Sequence, residues 1–342
     1  MQVLPHFARL RGTATLGLAA SALLAIAWPA QAQLTLTPAG LADNFTLSTF
    51  ASGFPTSSNV GPLGMAFVGG KVLVSDYPGN VRVFATDTDG QSAGAAPIAQ
   101  NYGGANAIGM AQIGGKIYMT QQGNGTLVQI NNDGTFNQII ATGLPAATGI
   151  IADPFTGNVF VSTIGNNVIY TIDPVAKTAT PFKNIEADGL SLSGDGKTLY
   201  GANGNGHIYG FDTTTAAQIY DSGFIPDGVD GTAIGTGALA GNLFVNTNGG
   251  TVWEVNLGTN AQTLIAKGGS RGDFVSVDPT NDTLLLTQTD SIVRLSAPSG
   301  GGFGGNATPE PSTVASFALG ALGLAGLLLR ARRRTSVSAS VV

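Results

Sequence analysis

Six stretches of this chain open in the same way and recur at nearly constant spacing. The residues just ahead of their first apolar runs are Leu63, Ile108, Thr148, Asp188, Asp230 and Asp273, so successive steps are 45, 40, 40, 42 and 43 residues. A unit of that length holds about four short strands and cannot bury its own apolar faces, so each must stack on its neighbours. The most regular unit, "DGLSLSGDGKTLYGANGNGHIYGFDTTTAAQIYDS", runs from Asp188 to Ser222. It reads as strands over 190–193, 198–202, 207–212 and 217–221, with Asp-Gly and Asn-Gly turns between the first three. The same order shows in "LGMAFVGGKVLVSDYPGNVRVF", "IGMAQIGGKIYMTQQGNGTLVQI" and the three later units.

The pattern predicts an all-β fold, a six-bladed β-propeller over residues 44–298. The sixth unit stops after its third strand, near Leu295, where "SAPSGGGFGGNAT" begins. "NFTLSTFAS", residues 44–52, precedes the first unit and has no other place in the count. It is expected to supply the missing outer strand of blade six, so that strands from both ends close the ring. Residues 33–43 then form an N-terminal lead and 299–308 a Gly-rich tether.

Composition excludes several function classes. The chain has no cysteine, which rules out disulfides, thiolate nucleophiles and zinc–thiolate sites. Between residues 33 and 308 there are 9 Lys and Arg against 19 Asp and Glu, so nucleic acid is excluded as a partner. The basic residues cluster at the ends instead. Arg9 and Arg11 precede an apolar stretch that ends in Ala30-Gln31-Ala32, the small–x–small pattern of a secretory signal peptide. Residues 1–32 are expected to be removed by signal peptidase, and Pro29 argues against a buried helix there. Near the other end, Val314 to Leu329 is an uncharged run of sixteen residues. As one short transmembrane helix it would span about 24 Å, less than a hydrocarbon core of about 30 Å. Arg330, Arg332, Arg333 and Arg334 follow it and belong on the cytoplasmic side, with residues 335–342 as a cytoplasmic tail.

The stretch "PEPSTVASFALGALGLAGLLLRARRR", 309–334, resembles the sorting signal of PEP-CTERM proteins. It has Pro309-Glu310-Pro311, a short apolar run and a basic cluster, in that order. The resemblance covers under a tenth of the chain. It implies an exported protein of an exopolysaccharide-producing Gram-negative bacterium, held transiently in the inner membrane and passed to exosortase. The mature form would then reach the cell surface or extracellular matrix. A permanent single-span anchor is the alternative.

Little in the body announces chemistry. His207 is its single histidine and lies in a strand, where packing between blades is favoured over a general base. "GNGNGHIYG" is a turn between strands with no helix to receive a phosphate. "ATDTDGQSAG" has Ala85 where a calcium loop needs its first carboxylate, so it reads as a hairpin turn. One constellation stands out. Asp188, Asp230 and Asp273 occupy the same repeat position in three successive blades, with Glu186 and Asp227 close by in the same loops. They should converge on one mouth of the central channel. Two readings stay open: Asp-Gly turn chemistry hydrated by channel water, or a site for Ca²⁺ or another divalent cation.

The repeat is also similar to six-bladed propellers of the SMP-30/gluconolactonase/NHL type, whose lactonase members hold one divalent cation with a Glu, an Asn and an Asp. That resemblance implies a metal-dependent lactonase or hydrolase, but the match is partial. Val60 stands where the Glu falls, Asp188 where the Asn falls, and only Asp227 of "PDG" is kept. The reading of the whole chain therefore leans towards a non-enzymatic binding or structural protein, with polysaccharide or other surface proteins as its partners.

Overall fold

A computed structural model describes residues 33–304. The expected signal peptide, the PEP segment at Pro309, Glu310 and Pro311, the uncharged run and the arginine cluster lie outside the described residues. Among the described residues no helix is long and apolar enough to cross a membrane.

The body is six antiparallel sheets in sequence order. Their inner strands are Pro62–Val68, Met110–Ile113, Ala147–Ala152, Leu190–Leu192, Val229–Gly237 and Val275–Asp278. Each inner strand contacts the next, and the sixth contacts the first, so the ring is closed. Apolar residues from facing sheets form the core between blades, as in the cluster that joins Ile150, Val159 and Val161 to Tyr118 and Leu127 of the preceding blade. The closing strand is the expected one. Thr46–Ser52 pairs with Ser291–Ser296, in a register from Thr46↔Ser296 to Ser52↔Ser291 with one bulge.

Glycine sets how closely the inner strands approach. Gly64, Gly109, Gly149, Gly189 and Gly231 each follow the marker residue of their unit. A Cβ on Gly149 would lie 1.8 Å from the Asp188 carbonyl oxygen, and one on Gly189 2.1 Å from that of Asp230. Each glycine thus seats the backbone of the next blade. The sixth position is Phe274, whose ring lies against Gly109 of blade two.

A second repeat position joins the blades. Ser75 Oγ accepts from the Gly64 N–H at 2.9 Å and donates to the Ile108 carbonyl of the next blade at 2.5 Å. Thr120 Oγ1 accepts from Gly109 N–H at 3.0 Å and donates to the Thr148 carbonyl at 2.6 Å. Ser162 donates to the Asp188 carbonyl at 2.9 Å, and the Asn246 amide to the Phe274 carbonyl at 3.3 Å. Thr120→Val keeps the side-chain shape but leaves a buried donor and acceptor short of a partner. It is expected to lower stability by about 1–3 kcal/mol, read as a fall in urea midpoint at unchanged m. Thr120→Ser, which keeps the hydroxyl, should recover most of it.

Three expectations change. The lead is structured: Thr35–Leu36 extends the outer edge of blade five by pairing with Gln262–Lys267, and Pro38–Ala42 forms one helical turn capped by Thr37. The Gly-rich segment does not begin as a tether, because Gly301–Phe303 pairs with the end of Val229–Gly237. Phe303 is buried there, its ring 4.9 Å edge-on from Phe244, so the folded body continues past 298. The third concerns "ATDTDGQSAG". It is not a simple hairpin turn; Gln91–Ser92 runs parallel to Ala51 and Ser52 of blade six, and Asp87 and Asp89 bind Arg294 there.

Candidate functional site

The inner strands start at one mouth of the channel and end at the other, so residues ahead of them gather at the first mouth. A cavity of about 310 Å³ opens there, lined by Tyr77, Gln122, Thr148, Phe274 and the side chains of Asp188, Asp230 and Asp273. The structure thus brings together the three carboxyls that share a repeat position. Asp230 and Asp273 are buried and Asp188 is half-buried. Phe274 forms part of the cavity floor, beside Leu63 and Ile108.

Glu186 and Asp227 do not join them. Both are exposed. The Asp227 backbone is left-handed, with φ 73°, and its carboxylate accepts from Thr251 Oγ1 at 3.0 Å. Glu186 enters the local network through its carbonyl, which accepts from the Asn203 amide at 2.7 Å. His207 also departs from expectation. Its Nδ1 lies 2.7 Å from Asp221 Oδ1 of the adjacent strand, and its ring stacks on Tyr209, so it packs within its own blade.

Arg271 is the residue that the sequence reading missed. It lies two positions before Asp273, and its Nε and Nη2 reach Asp273 Oδ1 at 2.7 and 2.6 Å. One guanidinium thus faces three carboxyls. Burial pushes Asp188 up to about 6, with the neighbouring Asp273 charge adding to it. Burial pushes Asp230 well above the usual carboxylate range, and Asp188 and Asp273 push it further. Burial also raises Asp273, against the pull of Arg271. Oδ1 of Asp230 is buried without a hydrogen-bond partner. Burial and the repulsion among the three carboxyls thus favour the protonated form of Asp230.

Among the described residues no group of three or more His, Asp or Glu side chains is placed to hold a metal ion. Asp273 is taken by Arg271, Asp227 points elsewhere, and the apolar Val60 lines the same cavity. The residues at this mouth thus differ from the Glu, Asn and Asp set that the lactonase resemblance implies.

The cluster has a pH signature. An unfolded Asp titrates near 3.9, and folded Asp188 near 6. Between the two the folded chain keeps a proton that the unfolded chain releases. Stability is complete below the unfolded value and falls as pH rises through the folded one. A shift of about two units is worth at most about 3 kcal/mol. The expected result is a fall in urea midpoint from about pH 4 to about pH 7, with a shallower fall for Asp188→Asn.

Comparison with known proteins bears on the C-terminal segment and the architecture. Residues 307–334 match the PEP-CTERM protein-sorting motif. No curated protein matches the chain. Solved structures match its fold. One is XC5397 from Xanthomonas campestris, described as a gluconolactonase, at 17% identity and TM-score 0.59, covering 78% of this chain and 95% of that one. A luciferin-regenerating enzyme matches at 14% and 0.57, over 77% and 98%. A chain of a nidogen/laminin complex matches at 14% and 0.53, over 68% and 97%. At such identities the likeness shows the fold alone, and one fold serves many tasks. The chain is thus a six-bladed propeller with structural neighbours of gluconolactonase type, and it ends in a PEP-CTERM motif, the mark of an exported protein sorted by exosortase.

Proposed function

We propose that the mature protein is a non-enzymatic binding propeller of the cell surface or extracellular matrix, and that its acidic channel mouth holds a hydroxyl-rich ligand such as the end of a polysaccharide. The observation that carries this reading is the mixed lining of that cavity, where Arg271 and the carboxyls of Asp188, Asp230 and Asp273 stand beside Tyr77 and Phe274. The Asp273–Arg271 pair offers both an acceptor and donors, and Tyr77 and Phe274 offer apolar faces. A sugar presents hydroxyls at its edges and C–H groups on its faces, and this lining suits both. Sorting by exosortase supports delivery to a surface where such polymers are the common ligand.

The test is calorimetric titration with oligosaccharide fragments of secreted polysaccharides. Asp230→Leu and Arg271→Met should each weaken binding about tenfold or more, since one good polar contact is worth about 1.4 kcal/mol. Unchanged affinity in both variants would remove the channel mouth from the binding role. A metal-dependent lactonase is the second reading, and the convergence of three carboxyls is the observation in its favour. Stoichiometric uptake of Ca²⁺, reversed by chelator together with loss of lactone hydrolysis, would replace the binding reading with that one.

A further inference from the structure

The channel has a second mouth with different chemistry. A cavity of about 340 Å³ opens at the far ends of the inner strands, with Phe67, Ala152, Phe155, Leu192 and Val277 among its lining. Gly304, the last described residue, also lines it. The chain arrives there by a fixed route. Gly301–Phe303 pairs with Gly235 to Gly237 at the end of blade five's inner strand. Phe303 is buried, and the Gly304 N–H donates to the Ile234 carbonyl at 2.7 Å. The segment that carries the sorting motif therefore leaves the body at the apolar mouth, close to the ring axis.

We infer that, while the tail is still anchored, the propeller stands with its apolar mouth toward the membrane and its acidic mouth away from it. The argument is one of reach. Nine residues, 305–313, separate Gly304 from Val314, where the uncharged run begins, so the chain takes ten steps between them. At full extension those ten steps reach at most about 35 Å. Gly304 already lies at the near mouth, so the near face is well within that reach. To bring the acidic mouth down, the chain would have to pass under four strands at about 4.8 Å spacing and then along a blade of about 17–20 Å. That route uses the whole extended length. Exposed side chains alone do not decide the matter: Phe155 and Val175 lie on the apolar-mouth side, but Ile164 and Phe224 are exposed on the other. The attachment point does. Two consequences follow for this orientation. The acidic cavity is open to external ligand before sorting, and the apolar mouth is uncovered only when the tail is cut.

The chain has no cysteine, so single-thiol variants carry one label each. Blade three offers a matched pair. Val175 lies in the turn between Val168–Asp173 and Thr178–Asn184 at the apolar-mouth end, and Ile164 lies in the turn after Val159–Thr163 at the acidic end. Both are exposed, so Val175→Cys and Ile164→Cys leave the core intact. The full-length chain, produced without exosortase, is inserted into phosphatidylcholine vesicles that contain a nitroxide-headgroup lipid, and vesicle-bound protein is recovered by flotation. Quenching of a fluorophore at 175 should exceed that at 164 several-fold. Equal quenching, or stronger quenching at 164, overturns the orientation. A long Gly/Ser insertion after Gly305 should abolish the difference; a difference that survives it overturns the short tether as the cause. Neither result depends on whether the acidic mouth binds a sugar.

Discussion

An Arg294→Leu variant is expected to lose about 3–5 kcal/mol of unfolding free energy. Arg294 lies in the third strand of blade six, and its guanidinium meets three carboxylates. Nη2 reaches Asp87 Oδ1 at 2.6 Å, Nε reaches Asp89 Oδ1 at 2.8 Å and Nη1 reaches Asp278 Oδ2 at 2.8 Å. Nη1 also donates to Thr283 Oγ1 at 2.7 Å. The side chain of Asp278 is fully buried and that of Asp87 largely so. Removing the cation leaves two buried carboxylates in mutual repulsion, which costs far more than an exposed pair is worth. The loss is also topological. Asp87 and Asp89 belong to the blade-one loop that crosses to the closing strand, so Arg294 ties the first blade to the last. Urea unfolding at pH 7 reads the effect. The triple variant Arg294→Leu, Asp87→Asn, Asp278→Asn removes the stranded charges and should recover part of it. A single-variant loss below about 1 kcal/mol would show that the cluster is hydrated and behaves as a surface pair.

The contrast between Arg294 and the blades shows what the sequence makes legible. Six units, six inner strands and the closing role of residues 44–52 are readable because each blade must bury the same two faces. That need repeats the apolar pattern and its turns. Asp188, Asp230 and Asp273 are readable for the same reason, as they share one repeat position. Phe274 is the exception at the glycine position, visible as "DFV" among "DGL" and "DGT". The hydroxyl position was also within reach: Ser75, Thr120 and Ser162 each end an apolar second strand. The contacts of Arg294 with Asp87 and Asp89 join residues more than two hundred positions apart, and no local pattern marks them. Arg271 is near in sequence, but pairing with Asp273 depends on which way a loop turns inward. Asp227 fails as a member of the site for a related reason. Its left-handed backbone directs the carboxylate to Thr251, which a motif match cannot show.

Deleting residues 33–52 from a chain that starts at Gln33 is expected to abolish cooperative folding. The ring then lacks the outer strand of blade six, and Ser291–Ser296 becomes an unpaired edge. Phe45 and Phe50 go with it, and both are buried. Phe50 packs against Phe84 at 5.3 Å and lies under the Arg294 guanidinium at 5.6 Å, while Phe45 meets Phe244 edge-on at 5.9 Å. At about 1.5–3 kcal/mol for each large apolar side chain, before the lost strand pairing, the deletion removes on the order of 5 kcal/mol or more. A domain holds only about 5–15 kcal/mol in all. The remaining chain also exposes an apolar strand edge, which favours aggregation over an open ring. The check is thermal or urea unfolding followed by far-UV circular dichroism, with and without a synthetic peptide of residues 44–52. The peptide should restore a cooperative transition in a concentration-dependent way, because it replaces a whole strand and leaves the other blades unchanged. If the deleted chain unfolds cooperatively at a midpoint near that of the intact one, the closing strand is an ornament on a ring that the other blades already hold shut.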